Sequence, residues 1–497
     1  MTDSPPVRRV VVAGGGTAGW IAAMALARQL RGLIEVTVVE SDAIGTVGVG
    51  EATIPTIRAF HDLLRIDERA FMSATQASFK LGVRFENWGR VGDRYIHAFG
   101  TMGMKTWVAE FQHFWLQARS EGDVAPIGAY CLEHEAAAAG RFAQDRESPL
   151  NYAYHLDAGL YAQFLRRIAE TEGARRVEGK IARVDQHGES GDIAALVLED
   201  GQRIEGDLFI DCTGFRGLLI EQTLAAGFED WNHWLPTNSA FAVQTESVAD
   251  ARPYTRAIAH HAGWQWRIAL QHRVGNGNVF CSDHIGDDDA RELLLGSVEG
   301  PVLTEPRLIR YTAGKRRAVW KNNVVAMGLS AGVIEPLEST SIHLFMIGVT
   351  RLIQQFPFGG ITPARRAHYN RLADNEIDRV RDFVILHYKL TERDDSPFWN
   401  RVRTMAIPDT LAERIALFAE GAEAWQAADD LFRVDSWVQV MLGQRIAPRS
   451  WHAIGALMSD GRLGQTLADL RRRIESTVAA MPSHQRYLNS CFPAPGS

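Results

Sequence analysis

Residues 8 to 40 limit the fold more than any other stretch. Val10-Val11-Val12 is a short β-branched run suited to a buried strand. The glycine turn Gly14-Gly15-Gly16-Thr17-Ala18-Gly19 follows at once, then Trp20 to Leu30 as a helix, then a second strand-like run, Val36 to Val39, closed by Glu40. Strand, G-x-G-x-x-G turn, helix, strand and acid are, in that order, the parts of a dinucleotide-binding βαβ unit. Gly14 makes the turn, Gly16 lets the backbone approach a pyrophosphate beside Thr17 and Ala18, and Gly19 allows the helix to pack on the strand. Glu40 stands about 20 residues past the last glycine, where an acid holds ribose hydroxyls. The pattern does not separate NAD from FAD.

Arg8-Arg9 followed by the uncharged run Val10 to Ala27 has the outline of an export signal or a membrane span. Three successive glycines break that run near its start and are poor helix formers, so strand, turn and helix account for it better. A chain of 497 residues has room for two or more cores or one composite fold. The net charge of -7 argues against a general nucleic-acid or anionic-membrane binder. Cys131, Cys212, Cys281 and Cys491 are scattered and form no Cys-x-x-Cys pair, so no metal site or disulfide framework is expected, and the compartment is read as reducing and cytoplasmic.

The stretch Asn322 to Leu344 is the second organising feature. Val324 to Met327 reads as a buried strand, and Gly328 and Gly332 loosen the backbone after it. Ser339, Thr340 and Ser341 precede an apolar run from Ile342 to Ile347, which predicts a capped helix start able to hold an anion at its free N–H groups. Glu338 stands just before it. As a bare pattern this is equally an ordinary strand-loop-helix turn with an exposed Glu338.

Other segments supply candidates. Val47 to Pro55 holds two glycines and a proline, suited to close approach by something flat. In Ser78 to Glu86, Phe79, Leu81, Val83 and Phe85 alternate with polar or small residues, predicting one half-buried strand with Lys80 on its solvated face. His97 and Phe99 fall in a strand or strand end, where a core histidine is the ordinary reading. Asp207 to Gly214 predicts another buried strand ending at a glycine turn. Gly263 to Leu270 alternates again, with Trp264 and Trp266 on one face, as core or as aromatic walls. Beyond Pro357 the pattern is mainly helical.

Taken together, Gly14 to Gly19, the Val47–Pro55 loop, Phe79-Lys80, Gly263-Trp264-Gln265-Trp266-Arg267-Ile268 and Glu335-Pro336-Leu337-Glu338-Ser339-Thr340 resemble the flavin-dependent tryptophan halogenase family, a relative of the flavin aromatic monooxygenases. The resemblance runs in order over nearly the whole chain. Two positions depart from the family pattern: Ala269 stands where proline is usual, and Ser341 where many members carry glycine.

The resemblance implies an α/β fold. It would comprise a Rossmann-like FAD-binding module of the monooxygenase type with an interleaved substrate-binding sheet over residues 1–360, and a mainly helical part over 361–497 covering the substrate pocket. It implies FAD held by Gly14, Gly16, Thr17, Ala18, Gly19, Glu40, Val49, Gly50, Ala52, Gly214 and Gly328, reduced by a separate flavin reductase. A halide, chloride or bromide, would bind at Thr340 and Ser341. Hypohalous acid would reach Lys80, which holds it by a hydrogen bond or becomes a haloamine, while Glu338 stabilises the cationic arene or takes its proton. His97, Phe99, Trp264, Trp266 and Trp437 would line the pocket of a small indole-like aromatic. Ser436 to Gly443 offers Trp437 and Val438 where family members acting on free tryptophan carry tyrosines, so simple indoles, or indoles carried on a larger molecule, are expected to react better than tryptophan. A homodimer is compatible with the resemblance. A flavin-dependent aromatic hydroxylase, a nicotinamide dehydrogenase and a non-catalytic flavin-binding protein are the competing readings.

Overall fold

The computed structural model describes residues 5–44, 50–144, 149–458 and 461–492. The chain forms two compact units, each assembled from three separated stretches: Met1–Ala77, Leu156–Asn238 and Arg310–Asp378 in the first, and Ser78–His155, Ser239–Ile309 and Arg379–Ser497 in the second.

The first unit is built on a six-stranded sheet in the order Trp320–Lys321, Val324–Ala326, Leu208–Asp211, Arg9–Ala13, Glu35–Glu40, Arg175–Glu178. All neighbours are parallel except the Trp320–Lys321 edge. Parallel strands are covered on both faces, which is why Val10 to Ala13 and Leu208 to Ile210 are unbroken apolar runs, all buried. Helix Thr17–Gln29 is buried along Gly19 to Ala27, so it lacks a polar stripe. The chain leaves Arg9–Ala13 toward Glu35–Glu40 on one side and returns as Leu208–Asp211 on the other. The crevice outside Ala13 and Asp211 is therefore a topological switch point, the usual ligand position in open α/β sheets.

The second unit holds a seven-stranded sheet ordered Arg307–Arg310, Ser239–Thr245, Val274–Phe280, Gly263–Ala269, Thr255–His260, Gly82–Glu86, Arg94–Ala98. Its pairings include one parallel pair, Thr255–His260 with Gly82–Glu86. Helices dominate its last part, as expected: Asp409–Gly421, Val434–Gly443, Arg462–Ala480 and His484–Cys491. Among the described residues no helix is long and apolar enough to cross a membrane.

The single strand expected over Ser78 to Glu86 is two. Ser78–Lys80 pairs antiparallel with Ala153–Asp157, whereas Gly82–Glu86 joins the seven-stranded sheet. Leu81 is the break, its N–H given to the Pro253 carbonyl at 2.7 Å.

Three buried histidines link the stability of this fold to pH. Burial pushes His61, bonded to the Tyr161 hydroxyl at 2.8 Å, down to about 3, and His484 to about 4. His155 is also held well below the ordinary value, first by burial and then by Lys80 and His484. A histidine kept neutral in the fold but protonated when unfolded stabilises the fold above about pH 6.5, and that contribution is lost as pH falls toward its folded pKa. At pH 5 each of the first two should cost about 2 kcal/mol relative to neutrality. Urea denaturation at pH 7 and pH 5 should show this loss, with a shallower pH dependence in His61→Gln; equal stabilities at the two pH values would contradict it.

Candidate active site

The glycine turn lies at the switch point of the first unit. Gly14 has φ +105°, and a Cβ there would come within 2.3 Å of the Cys212 carbonyl oxygen. At Gly19 a Cβ would lie 1.9 Å from the Gly14 carbonyl oxygen, which is how closely the helix packs on the turn. Gly16 differs: a Cβ there meets nothing within 4 Å. It is also the N-cap of Thr17–Gln29, and no side chain caps that helix. An open glycine at an uncapped N-terminus gives an anion both space and N–H donors. The residues present therefore fit a dinucleotide pyrophosphate.

Other predicted residues surround this turn. Gly328, at φ +70°, comes so near the helix start that a Cβ would lie 2.6 Å from the Ala18 Cβ. Gly214, also at φ +70°, faces open space beyond the Leu208–Asp211 strand. Glu40 ends its strand and accepts from Trp20 Nε1 at 3.3 Å and Arg176 Nε at 2.5 Å. Gly50 and Ala52 form the short strand Gly50–Ala52, and Val49 lies outside the described residues.

Two features here escaped the sequence reading. Gly15, an unassigned position of the fingerprint, is crowded: a Cβ there would lie 1.4 Å from a Glu40 carboxylate oxygen and 2.6 Å from the Glu40 Cβ, which cannot swing aside. Asp211 is a buried hub that accepts from the N–H groups of Thr213, Leu219 and Ile220 and from the hydroxyls of Thr213 and Ser330. Those bonds fix the turn that carries Gly214.

The Glu335–Ser341 segment is also in the first unit. Pro336–Glu338 makes one 3₁₀ turn, Ser339 takes a left-handed conformation at φ +61°, and helix Ser341–Gln354 follows. Glu338 and Thr340 are each 1 % exposed, so the exposed-glutamate alternative is corrected. The expected side-chain cap is corrected as well: Thr340 is the N-cap, but its side chain makes no capping bond. A left-handed serine costs about 1 kcal/mol or more and persists where surroundings impose it. Here the surroundings include buried Glu335, which accepts from Thr237, itself bonded by Tyr311. His343, in the first turn of the helix, lies 2.9 Å from Thr56 Oγ1 and 3.2 Å from Glu376, a carboxylate shared with Arg351.

Lys80 belongs to the second unit. Period-two alternation placed it on a solvated face, and this is corrected: Lys80 has no exposed surface. The Ser78–Lys80 strand is buried throughout, because its polar face is covered as fully as its apolar one. Nζ lies 5.2 Å from the centre of the Phe99 ring. The Phe99 carbonyl accepts from Asn151 Nδ2 and Arg433 Nη2, each at 2.9 Å.

Buried His97 and Trp437 share one neighbour, Phe383, with ring centres 5.5 and 4.9 Å away. The Arg414 guanidinium carbon sits 4.3 Å from the Trp437 ring and is ion-paired with Asp430. Trp264 packs between Trp88 and Trp266 at 6.3 and 6.2 Å, and a Cβ on Gly277 would touch the Trp266 indole at 2.0 Å. Among the described residues no group of three or more His, Cys, Asp or Glu is arranged to hold a metal.

Comparison with known proteins gives this geometry its context. The chain is 54% identical to Xcc4156, a flavin-dependent halogenase from Xanthomonas campestris, with a TM-score of 0.97 over 99% of this chain and 100% of that one. It is 43% identical to BrvH, a flavin-dependent halogenase from Brevundimonas sp. BAL3, with a TM-score of 0.94 over 98% and 100% of the two chains. It is 38% identical to the tryptophan 6-halogenase SttH of Streptomyces toxytricini, covering 82% of this chain and 83% of that protein. The family model for tryptophan halogenases matches residues 9–460, and the chain belongs to that family of flavin-dependent halogenases, with its FAD-binding Rossmann-like fold.

Proposed function

We propose that this flavin-dependent halogenase transfers chloride or bromide, as hypohalous acid, to an indole-like aromatic through Lys80. The observation that carries the reading is Lys80 itself: an amine with no exposed surface beside an aromatic ring. Burying an ammonium is costly, so packing alone does not explain a lysine there.

When bound, FAD delivered in reduced form by a separate reductase would supply two electrons that activate oxygen, and oxygen, as the oxidant, would take two more from the halide, so that hypohalous acid and water result. Gly14, Gly16, Thr17, Ala18, Gly19, Glu40, Val49, Gly50, Ala52, Gly214 and Gly328 would hold it, and the backbone at Thr340 and Ser341 would hold the halide. Lys80 keeps the electrophilic halogen in place, as a hydrogen-bonded acid or a haloamine. The arene carbon forms its bond to halogen as the oxygen or nitrogen bond breaks, and the ring proton passes to Glu338. A carboxylate suits a developing cation. Free hypohalous acid is indiscriminate, so a fixed amine beside a fixed ring is what confers selectivity. The work would be done in the cytoplasm.

His97, Phe99, Trp264, Trp266 and Trp437 would shape the pocket. In helix Val434–Gly443, Trp437, Val438 and Met441 are buried, and the neighbouring Arg414 is committed to Asp430. An amino-acid carboxylate placed there would be desolvated with no cationic partner to spare and one neutral donor, the Trp437 indole N–H, against its full charge, at a cost of several kcal/mol. Protein, FAD, a reductase, oxygen and halide should therefore give halogenated indole at an initial rate about tenfold above that with free tryptophan, a difference of ~1.4 kcal/mol. Product masses and initial rates check this. A hydroxylated product formed without halide would favour the aromatic hydroxylase, and a clear preference for tryptophan would sink the pocket reading.

A further inference from the structure

Lys80 ends a strand that is held from the side by a buried imidazole. In the antiparallel pairing of Ser78–Lys80 with Ala153–Asp157, Ser78 stands opposite His155 and Lys80 opposite Ala153. His155 has no exposed surface, and both ring nitrogens meet hydroxyls: Nδ1 lies 3.2 Å from Ser78 Oγ, and Nε2 lies 2.9 Å from Thr255 Oγ1. Ser78 settles the direction of these bonds. Its one hydroxyl proton is given to the Ala269 carbonyl at 2.6 Å, so toward His155 it accepts. His155 therefore carries its proton on Nδ1 and accepts from Thr255 at Nε2.

Donation thus runs one way, from Thr255 through His155 and Ser78 to Ala269. The bonds tie the Lys80 strand to Thr255–His260 and to the end of Gly263–Ala269. A protonated ring would force Thr255 from donor to acceptor, so the chain favours the neutral imidazole. Burial and the neighbouring Lys80 and His484 act in the same direction. The residue between Ser78 and Lys80 is fixed too, since the Phe79 N–H donates to His484 Nε2 at 3.2 Å.

We propose that His155 is a positioning residue for Lys80, locked in its Nδ1–H tautomer by Thr255 and Ser78 so that the lysine strand stays in one place beside Phe99. This rests on the reading of Lys80 as the transfer group. Loosening the chain should leave oxidant production intact and let more hypohalous acid escape before it reaches the arene.

The test compares Thr255→Val, which removes the donor at nearly constant shape, with Thr255→Ser, which restores it. Each protein is supplied with FAD, a reductase, bromide and indole, together with a β-diketone that traps escaped oxidant. The fraction of oxidant ending on indole should fall about tenfold or more in Thr255→Val and recover in Thr255→Ser, because displacing a reacting group by a fraction of an ångström is expensive. Nitrogen NMR of the histidine rings adds a readout that needs no cofactor. The signals lost in His155→Gln should be those of an Nδ1–H ring that stays neutral through the range in which an ordinary histidine titrates. If His155→Gln fails to fold, the signals that move between Thr255→Val and Thr255→Ser serve instead. An Nε2–H tautomer, a wild-type partition in Thr255→Val, or equal losses in both Thr255 variants would overturn the proposal. Lys80→Met is the control: if it too keeps the wild-type partition, the transfer role of Lys80 itself falls.

Discussion

Lys80→Met protein is expected to fold, to bind FAD and to consume reduced flavin, while its yield of halogenated indole drops about a thousandfold, within the span one acting side chain commands. Methionine is the informative replacement because Lys80 is fully buried. Alanine would leave a cavity and confuse a chemical loss with a packing loss. Methionine fills similar space, tolerates irregular surroundings and removes the amine. Its effect on stability should therefore be modest, although the partners that now meet the amine lose one. Loss of product with continued flavin oxidation would separate oxidant production from its use, as expected if the halide segment of the first unit and the amine of the second do different work. Product yield is measured by mass spectrometry and oxidant by a trapping reagent. Wild-type halogenation in a folded Lys80→Met protein would reduce the buried lysine to a structural residue.

The nucleotide-binding half was largely legible in the sequence because its signals are local. A strand, three glycines and a helix are neighbours along the chain, and the turn fixes their geometry. Gly14 and Gly19 approach backbone atoms closely while Gly16 stays open, in keeping with their places in the fingerprint. What pattern could not give is what covers a face. Period two assigns Lys80 and Phe79 to opposite sides of a strand but is silent on whether either side meets water. That is also why one strand was expected where Leu81 divides two. Glu338 was ambiguous for the same reason, since burial of a turn depends on distant segments. Ser339 and Thr340 carry the composition of a helix cap, yet the left-handed Ser339 turns the chain before the helix begins and Thr340 makes no cap bond. His155 had no signal at all: 75 residues separate it from Lys80, and strand register alone brings them together.

Gly16→Val should abolish measurable FAD affinity, raising Kd by at least about a hundredfold, or roughly 3 kcal/mol. The argument depends on how this glycine differs from its neighbours. Valine at Gly14 would have to adopt φ +105° and collide with the Cys212 carbonyl, and valine at Gly19 would collide with the Gly14 carbonyl. Both would disrupt the fold, so loss of binding there would carry no information. Gly16 sits at φ -75°, an ordinary value for any residue, with nothing within 4 Å of a built Cβ. A valine there should be tolerated by the apo protein, with a loss of about 1 kcal/mol because β-branched residues make poor N-caps. Its two methyl groups would fill the space left open in front of the uncapped N–H groups, where a pyrophosphate needs to come close. Titrating oxidised FAD against its fluorescence, alongside a denaturation curve, measures both quantities on one protein. Near-native stability with lost binding is the expected pair; near-native stability with unchanged affinity would remove the glycine turn from the FAD site.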